Sequence, residues 1–128
     1  MPPERPALAI LLCRADYGSA HAALMLAAAA AALNHRVTLF AMGAGVHALA
    51  RNWSPLHGAA RDAPNRQRGV PGFDELRDAC RDLGVALWAC PTGLAAESLA
   101  PDQLSDGVSE KGLATFLEAT RQARLISL

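Results

Sequence analysis

Aromatic side chains are scarce in this sequence, and its formal net charge is zero. Phe, Tyr and Trp make up 5% of the 128 residues, whereas 52% of the residues are hydrophobic and 28 are alanine. Such a core must be built from small and aliphatic side chains that pack closely, and the hydrophobic fraction excludes a disordered chain. Twelve basic residues balance twelve acidic ones, so we expect neither nucleic acid nor a membrane as a partner.

Cysteine is also sparse, and its spacing excludes two classes of structure. The three cysteines, Cys13, Cys80 and Cys90, are an odd number and stand far apart, which argues against a disulfide framework and a zinc knuckle. The four histidines form no i to i+4 pair, so no metal site is expected. Residues 1–6 lack the pattern of a signal peptide, and the alanine-rich stretch 20–33 is too short to cross a bilayer. We therefore expect a cytoplasmic protein in a reducing compartment.

The motifs of two common enzyme classes are missing as well. Residues 15–19, which follow the first predicted strand, contain one glycine and match neither the dinucleotide-binding nor the P-loop fingerprint. No Gly-x-Ser-x-Gly elbow of an α/β-hydrolase is present. The length of 128 residues fits one domain, spanning residues 1–128.

What the sequence does contain is an alternation of strand-length apolar runs and helical segments. The predicted strands are 7–12, 36–42, 85–90, 106–108 and 124–128, and the predicted helices are 20–33, 46–50, 72–83, 94–100 and 110–123. Ser19 and Ser109 are predicted to cap the helices that follow them. Strands joined by such short helical segments pair in parallel through right-handed crossovers, so the pattern predicts an α/β fold.

Two segments allow more than one interpretation. The helix at 20–33 has no polar face, so either the sheet and a second subunit cover it, or alanine is simply a good helix former on the surface. Residues 52–71 hold three prolines together with Arg61, Arg66 and Arg68, and we predict a mobile loop there. Its arginines could form an anion-binding lid or belong to an ordinary solvated loop.

Ligands of open parallel sheets bind beyond the carboxyl ends of the strands. In this sequence the segments 13–19, 43–47 and 90–93 fall at those ends. The candidate pocket residues there are Cys13, Arg14, Tyr17, Gly18, Ser19, Gly43, Gly45, His47, Cys90, Thr92 and Gly93.

Among these residues Cys90 is the strongest candidate for chemistry. A thiolate between a strand and a helix can be stabilised by the helix dipole and by backbone N–H groups, here those of Thr92, Gly93 and Leu94. The competing interpretation is an inert thiol buried at the end of a strand. Cys13 ranks second, and a redox pair with Cys90 would require Cα atoms within about 7 Å. Cys80 lies on the apolar face of a predicted helix and is interpreted as a core residue.

The order of several short motifs resembles the DsrE/DsrF-like family, which includes the sulfur-relay subunit TusD. The motifs, spread over residues 7–127, are Tyr17-Gly18-Ser19, His35-Arg36-Val37-Thr38-Leu39-Phe40, Gly45-Val46, Phe73-Asp74-Glu75-Leu76, Leu83-Gly84-Val85, Trp88-Ala89-Cys90-Pro91, Asp106-Gly107-Val108 and Gly112-Leu113-Ala114-Thr115-Phe116-Leu117. The segment Pro91-Thr92-Gly93 is shorter and less polar than in many members of the family.

The resemblance implies a three-layer domain with a mostly parallel five-stranded sheet, helices on both faces, and assembly into homo-trimers or hexamers. It also implies that Cys90 carries a persulfide between sulfur donor and acceptor proteins in the cytoplasm, without a cofactor. Whether such a protein acts as a sulfurtransferase or only as a carrier stays open. Two alternatives remain: a non-catalytic regulatory subunit that binds a small anion or nucleotide through Arg14 and the loop arginines, and a pure assembly partner.

Overall fold

A sheet of five parallel strands forms the centre of this computed structural model, which describes residues 5–128. The strands are β1 (Arg5–Leu12), β2 (His35–Ala41), β3 (Ala86–Ala89), β4 (Val108–Glu110) and β5 (Arg124–Ser127). Their order in the sheet is β4-β3-β2-β1-β5, and each neighbouring pair is parallel. The predicted α/β fold is confirmed.

Short helices connect the strands. The α-helices are α1 (Tyr17–Ala32), α2 (Asp62–Gln67), α3 (Phe73–Asp82), α4 (Pro91–Ala96) and α5 (Leu113–Ala119), and 3-10 helices span Gly43–Leu49, Ala59–Arg61 and Pro101–Gln103. From β1 to β4 the chain crosses the sheet in one direction, and it then returns across three strands to β5. Since crossovers are right-handed, the return segment with α5 lies on the opposite face from α1 and α3.

The two faces carry separate cores of different size. Alternate residues of β1, Ile10 among them, pack against α1 and α3 in the larger core. On the other face the small core consists of Ala9, Phe40, Cys90 and Phe116, of which only Phe116 comes from a helix. We call these sides the α1 face and the α5 face. Helices therefore cover both faces, as predicted, but the cover of the α5 face is thin.

Helix α1 begins earlier than predicted because its cap is Asp16 rather than Ser19. The Asp16 carboxylate accepts a hydrogen bond of 2.9 Å from the Ser19 N–H, and this bond lowers the pKa of Asp16. One side of the helix is buried against the sheet and α3, while Ala22, Met25 and Ala29 are exposed. The exposed side is as apolar as the buried side, so the single chain leaves an apolar helix face uncovered.

The C-terminal part differs most from the prediction. Ser109 does not cap a helix but lies in β4, opposite Trp88 of β3. The following helix is only Leu113–Ala119, preceded by Gly112, and not the predicted 110–123. Pairing with β3 extends residues 108–110, so sheet contacts override the local helical pattern there.

Residues 52–71 contain helical structure that the sequence did not reveal, namely Ala59–Arg61 and α2. Asp62 is buried and accepts hydrogen bonds from the Tyr17 hydroxyl at 2.6 Å, from the Phe73 N–H at 2.9 Å and from Arg66 Nε at 3.0 Å. The Trp53 ring lies 4.7 Å from that of Phe73. These contacts join the segment to the starts of α1 and α3, and its mobility stays a prediction.

Candidate functional site

The predicted site segments 13–19, 43–47 and 90–93 begin side by side at the carboxyl edge of the sheet. Leu12 of β1 pairs with Ala41, which pairs with Ala89 of β3, so Cys13, Met42 and Cys90 each follow a paired residue. The connections approach each other closely. A Cβ on Gly45 would lie 2.5 Å from the Leu12 carbonyl oxygen, and a Cβ on Gly93 would lie 2.9 Å from the backbone N and O of Gly43. Only glycine allows the backbones to approach this closely.

Cys90 links β3 to α4 and is nearly buried, with 5% of its surface exposed. Its N–H donates to the Ala41 carbonyl at 2.9 Å, and its own carbonyl accepts from the Leu94 N–H at 3.0 Å. The Leu94 amide therefore closes the first turn of α4 and cannot donate to a Cys90 thiolate, contrary to the prediction.

Helix α5 contributes one aromatic residue, Phe116, to the small core that contains Cys90. Phe116 stacks on Phe40, with ring centroids 4.5 Å apart and planes inclined by 10°, and it is the buried residue of α5. Its helix neighbours Leu113 and Leu117 are 40% and 54% exposed. Cys90 therefore belongs to a small core to which the two-turn helix α5 contributes one buried ring, and not to the larger core.

The other two cysteines occupy very different surroundings. Cys13 is exposed. Cys80 has no exposed surface, its thiol donates to the Leu24 carbonyl at 3.4 Å, and burial raises its pKa to about 11. Cys80 is therefore a protonated core residue at neutral pH, in keeping with its interpretation from the sequence.

A disulfide between Cys13 and Cys90 does not fit this sheet. Strand β2 lies between β1 and β3, so two strand spacings of about 4.8 Å separate the two Cα atoms. A disulfide spans Cα atoms at most about 7 Å apart. The two thiols cannot form an intramolecular bond unless the backbone moves.

His47 and Glu97 form a side-chain pair at the C-terminal end of α4. His47 Nε2 lies 2.9 Å from Glu97 Oε1, with 14% and 30% of the respective side chains exposed. The pair links the Gly43–Leu49 helix to the residue that follows α4. Sequence analysis selected His47 but missed Glu97, because a contact between residues 50 positions apart leaves no local signal.

Among the remaining predicted pocket residues, Tyr17 belongs to the core of the α1 face, whereas Cys90 belongs to the small core of the α5 face. Tyr17 is buried among aromatic rings, including Phe73 at 5.7 Å, and it donates to Asp62. Burial, reinforced by that hydrogen bond, raises the pKa of Tyr17 to about 12. Gly18, Gly43 and Thr92 are exposed, and Ser19 is half-buried at the start of α1.

Two of the arginines suggested as anion ligands are paired with carboxylates. Arg14 pairs with its neighbour Asp16 at 3.3 Å, and Arg66 pairs with Asp62 at 3.0 Å. Arg61 and Arg68 are exposed. Binding of an anion by this loop stays a prediction.

Two cavities open at the opposite, amino edge of the sheet. They have volumes of about 360 and 400 Å³, and both are lined in part by residues 5–8. Neither contains a residue of the predicted site. In residues 5–128 no three His, Cys, Asp or Glu side chains are grouped so that they could hold a metal ion. None of the helices in this range is long and apolar enough to span a membrane.

Comparison with known proteins identifies the family. The model of the DsrE/DsrF-like family matches residues 7–128. The chain belongs to this family. The resemblance predicted from the sequence is thus confirmed, and it connects the protein to a family linked to sulfur relay.

Solved structures of similar length share the fold along nearly the whole chain. The ychN protein from E. coli matches with a TM-score of 0.75 at 22% identity, covering 97% of this chain and 100% of that one. MTH1491 from Methanobacterium thermoautotrophicum, a protein of unknown function, matches with a TM-score of 0.60 at 18% identity and the same coverage. At these identities the likeness supports the fold alone. No curated protein matches the sequence.

Proposed function

We propose that this DsrE/DsrF-like protein carries sulfur as a persulfide on Cys90. The observation that carries the proposal is the position of Cys90 at the carboxyl end of β3, in the small core of the α5 face. Cys80 lies in the larger core with a raised pKa, which leaves it unsuited to nucleophilic attack. Cys13 is exposed on a connection, whereas Cys90 is buried in the small core between β3 and α4.

The proposed transfer conserves electrons as well as atoms. The Cys90 thiolate attacks the outer sulfur of a donor persulfide, so a new S–S bond forms while the donor S–S bond breaks and the donor leaves as a thiolate. In the second step an acceptor thiolate attacks the outer sulfur on Cys90, and Cys90 leaves as a thiolate. Neither step requires an external oxidant, reductant or cofactor.

Sulfur transfer requires that a donor or acceptor can reach the buried Cys90 thiol. With 5% of Cys90 exposed, a donor sulfur reaches the thiol only when α5 moves or when the exposed residues Pro91 and Thr92 shift. The contact of α5 with the sheet is small, because Phe116 is its buried side chain. We propose that α5 opens when a donor or acceptor protein binds, so that the persulfide is shielded from solvent between transfers.

The proposal includes partners and an assembly. Sulfur donor and acceptor proteins act on the carboxyl edge in the cytoplasm, where thiols are kept reduced. The apolar outer side of α1, with Met25 43% exposed, supports burial between copies of the chain in a homo-oligomer. A trimer or hexamer remains the expectation from the family resemblance.

Mass spectrometry after incubation with a persulfide donor tests the function. We expect an added sulfur atom, about 32 Da, on the peptide that contains Cys90. The adduct should persist in Cys13→Ser and Cys80→Ser and disappear in Cys90→Ser. An adduct confined to Cys13, with Cys90 unmodified, would contradict the proposal.

A further inference from the structure

We propose that Lys111 supplies the positive charge that stabilises the anionic form of the Cys90 sulfur. The inference rests on the proposed function of Cys90 and adds a residue that lies outside the predicted pocket. Lys111 is the only lysine among the 128 residues, and it stands in the connection between β4 and α5.

The register of the sheet places Lys111 beside Cys90. Ala89 of β3 pairs with Glu110 of β4, and the Lys111 N–H donates to the Ala89 carbonyl at 3.1 Å. Lys111 and Cys90 therefore each follow a paired residue, on strands that lie about 4.8 Å apart. On the other side of Cys90 the corresponding position, after β2, is Met42, which carries no charge.

Lys111 and Cys90 also share one face of the sheet. Cys90 belongs to the small core of the α5 face, and Trp88 packs against that core. The Lys111 Nζ lies over the Trp88 ring, 5.8 Å from its centroid. Glu110 pairs with Ala89, a residue of the larger core, so the Glu110 side chain leaves the sheet on the α1 face. The ammonium group, and not this carboxylate, is therefore on the side of Cys90.

The contact with Trp88 leaves the ammonium group able to move towards Cys90. A distance of 5.8 Å is close to the limit of about 6 Å for a cation–π contact, and Lys111 is exposed, so this contact is weak. None of the ion pairs within residues 5–128 involves Lys111. Trp88 and Cys90 are two positions apart, roughly 6.6 Å along the strand. Rotation of the flexible four-carbon stem of a lysine covers such a distance.

Both steps of the proposed transfer place a negative charge on the Cys90 sulfur, first as the attacking thiolate and later as the leaving thiolate. The apolar surroundings of Cys90 oppose this charge, and the Leu94 N–H is already bonded within α4. A cation close to the sulfur offsets the cost, because an opposite charge favours the ionised form. Lys111 keeps its proton in both steps and forms no covalent bond.

Reaction of Cys90 with the neutral reagent dipyridyl disulfide, in the full chain with Cys13→Ser, tests this role without a persulfide. Lys111→Met keeps a long side chain without its charge and should slow the reaction at least about fivefold at low ionic strength, because the thiolate is the reacting form. Lys111→Arg keeps the charge and should stay within about twofold of the parent chain. Added salt should slow the parent but leave Lys111→Met nearly unchanged, because salt screens an exposed charge.

The matched control is Arg68→Gln, which removes one positive charge from an exposed position of the 52–71 segment and should leave the rate within about twofold. An unchanged rate in Lys111→Met would overturn the proposal, and so would a rate in Lys111→Arg as low as that in Lys111→Met. Incubation of the parent chain with a persulfide donor separates this inference from the proposed function. Absence of added sulfur on Cys90 contradicts sulfur transfer, whereas the charge effect on dipyridyl disulfide still supports the role of Lys111.

Discussion

Asp62 shows how one buried side chain organises an irregular segment. Burial acts to raise its pKa, but hydrogen bonds from Tyr17 and Phe73, together with the Arg66 guanidinium, outweigh burial and hold the pKa below the ordinary value of 3.8. Arg77, also buried, donates to the carbonyls of Ala48 and Ala50 at the end of the Gly43–Leu49 helix. Both residues satisfy backbone groups where regular structure ends.

The lowered pKa of Asp62 makes its contribution to stability depend on pH. The ionised form is favoured in the folded state, so its stabilisation is complete above pH 3.8 and is lost as the pH falls through the lower folded pKa. We expect Asp62→Asn to reduce the free energy of unfolding by about 1–3 kcal/mol at neutral pH, and by progressively less below the ordinary pKa.

Urea unfolding between neutral and strongly acidic pH measures this difference. Asp78→Asn is the control, because Asp78 is 61% exposed and pairs with Arg81 on the surface of α3; its effect should stay below about 1 kcal/mol at any pH. An Asp62→Asn difference that is constant across the whole range would exclude the assigned role of the charge.

At the level of elements, we expect α5 to limit access to Cys90. In a Cys13→Ser background, Phe116→Ala should accelerate labelling of Cys90 by a soluble thiol reagent at least about tenfold, since a loss of about 1.4 kcal/mol in local stability increases the open population tenfold. Leu117→Ala is the matched control, because Leu117 belongs to the same helix but is 54% exposed.

Stopped-flow labelling and far-UV circular dichroism together distinguish local opening from general unfolding. We expect Leu117→Ala to label like the parent chain. Equal labelling rates in Phe116→Ala and the parent would show that α5 does not limit access to Cys90.

The close contact between α4 and the Gly43–Leu49 helix should not tolerate an added methyl group at Gly93. A Cβ at Gly93 would lie 2.9 Å from Gly43 N and O and from Val46 Cγ1, so Gly93→Ala should destabilise the fold by about 1–3 kcal/mol. It should also slow persulfide loading, because α4 moves together with Cys90.

Thermal unfolding and the loading rate measure these effects. At Gly112 an added Cβ would meet no atom within 4 Å, so Gly112→Ala should change stability by less than about 1 kcal/mol. If Gly93→Ala is as stable as Gly112→Ala, the close approach of the two backbones does not constrain α4.

The elements that sequence analysis placed well are those with a strong local pattern. Helix α3 spans Phe73–Asp82 within the predicted 72–83, since its apolar residues recur at helical spacing. The sequence predicts an extended piece at 106–108 and a cap at Ser109, whereas β4 spans Val108–Glu110, because the strand conformation of the last two residues depends on pairing with β3. The roles of Asp62 and Glu97 depend on contacts with distant residues, so local patterns could not indicate them.

The sequence indicates where the segments of the candidate site lie, but not which side chains they bring into contact. The rule for parallel sheets led to the carboxyl edge, where the structure indeed brings the ends of β1, β2 and β3 together. It could not indicate that Tyr17 turns into an aromatic core. Nor could it reveal the cavity at the amino edge, whose arginines come from three separate segments.

For the whole molecule, the uncovered side of α1 predicts self-association. Light scattering should give a mass of three or six times 13.4 kDa. Ala29→Glu places a charge on the exposed side of α1 and should reduce the mass, whereas Ala60→Glu, at an exposed position outside α1, should not. A monomer at micromolar concentration would contradict the expectation.

The order of the strands also determines when the protein can be completed during translation. Strand β1 needs both β2 and β5 as neighbours, yet residues 124–127 are synthesised more than a hundred positions after β1. While the nascent chain waits for them, one edge of β1 stays unpaired, and until Phe116 emerges from the ribosome the small core around Cys90 is incomplete. A stalled or truncated polypeptide would therefore present an open strand edge beside an unfinished apolar face, the combination that promotes aggregation and recognition by chaperones.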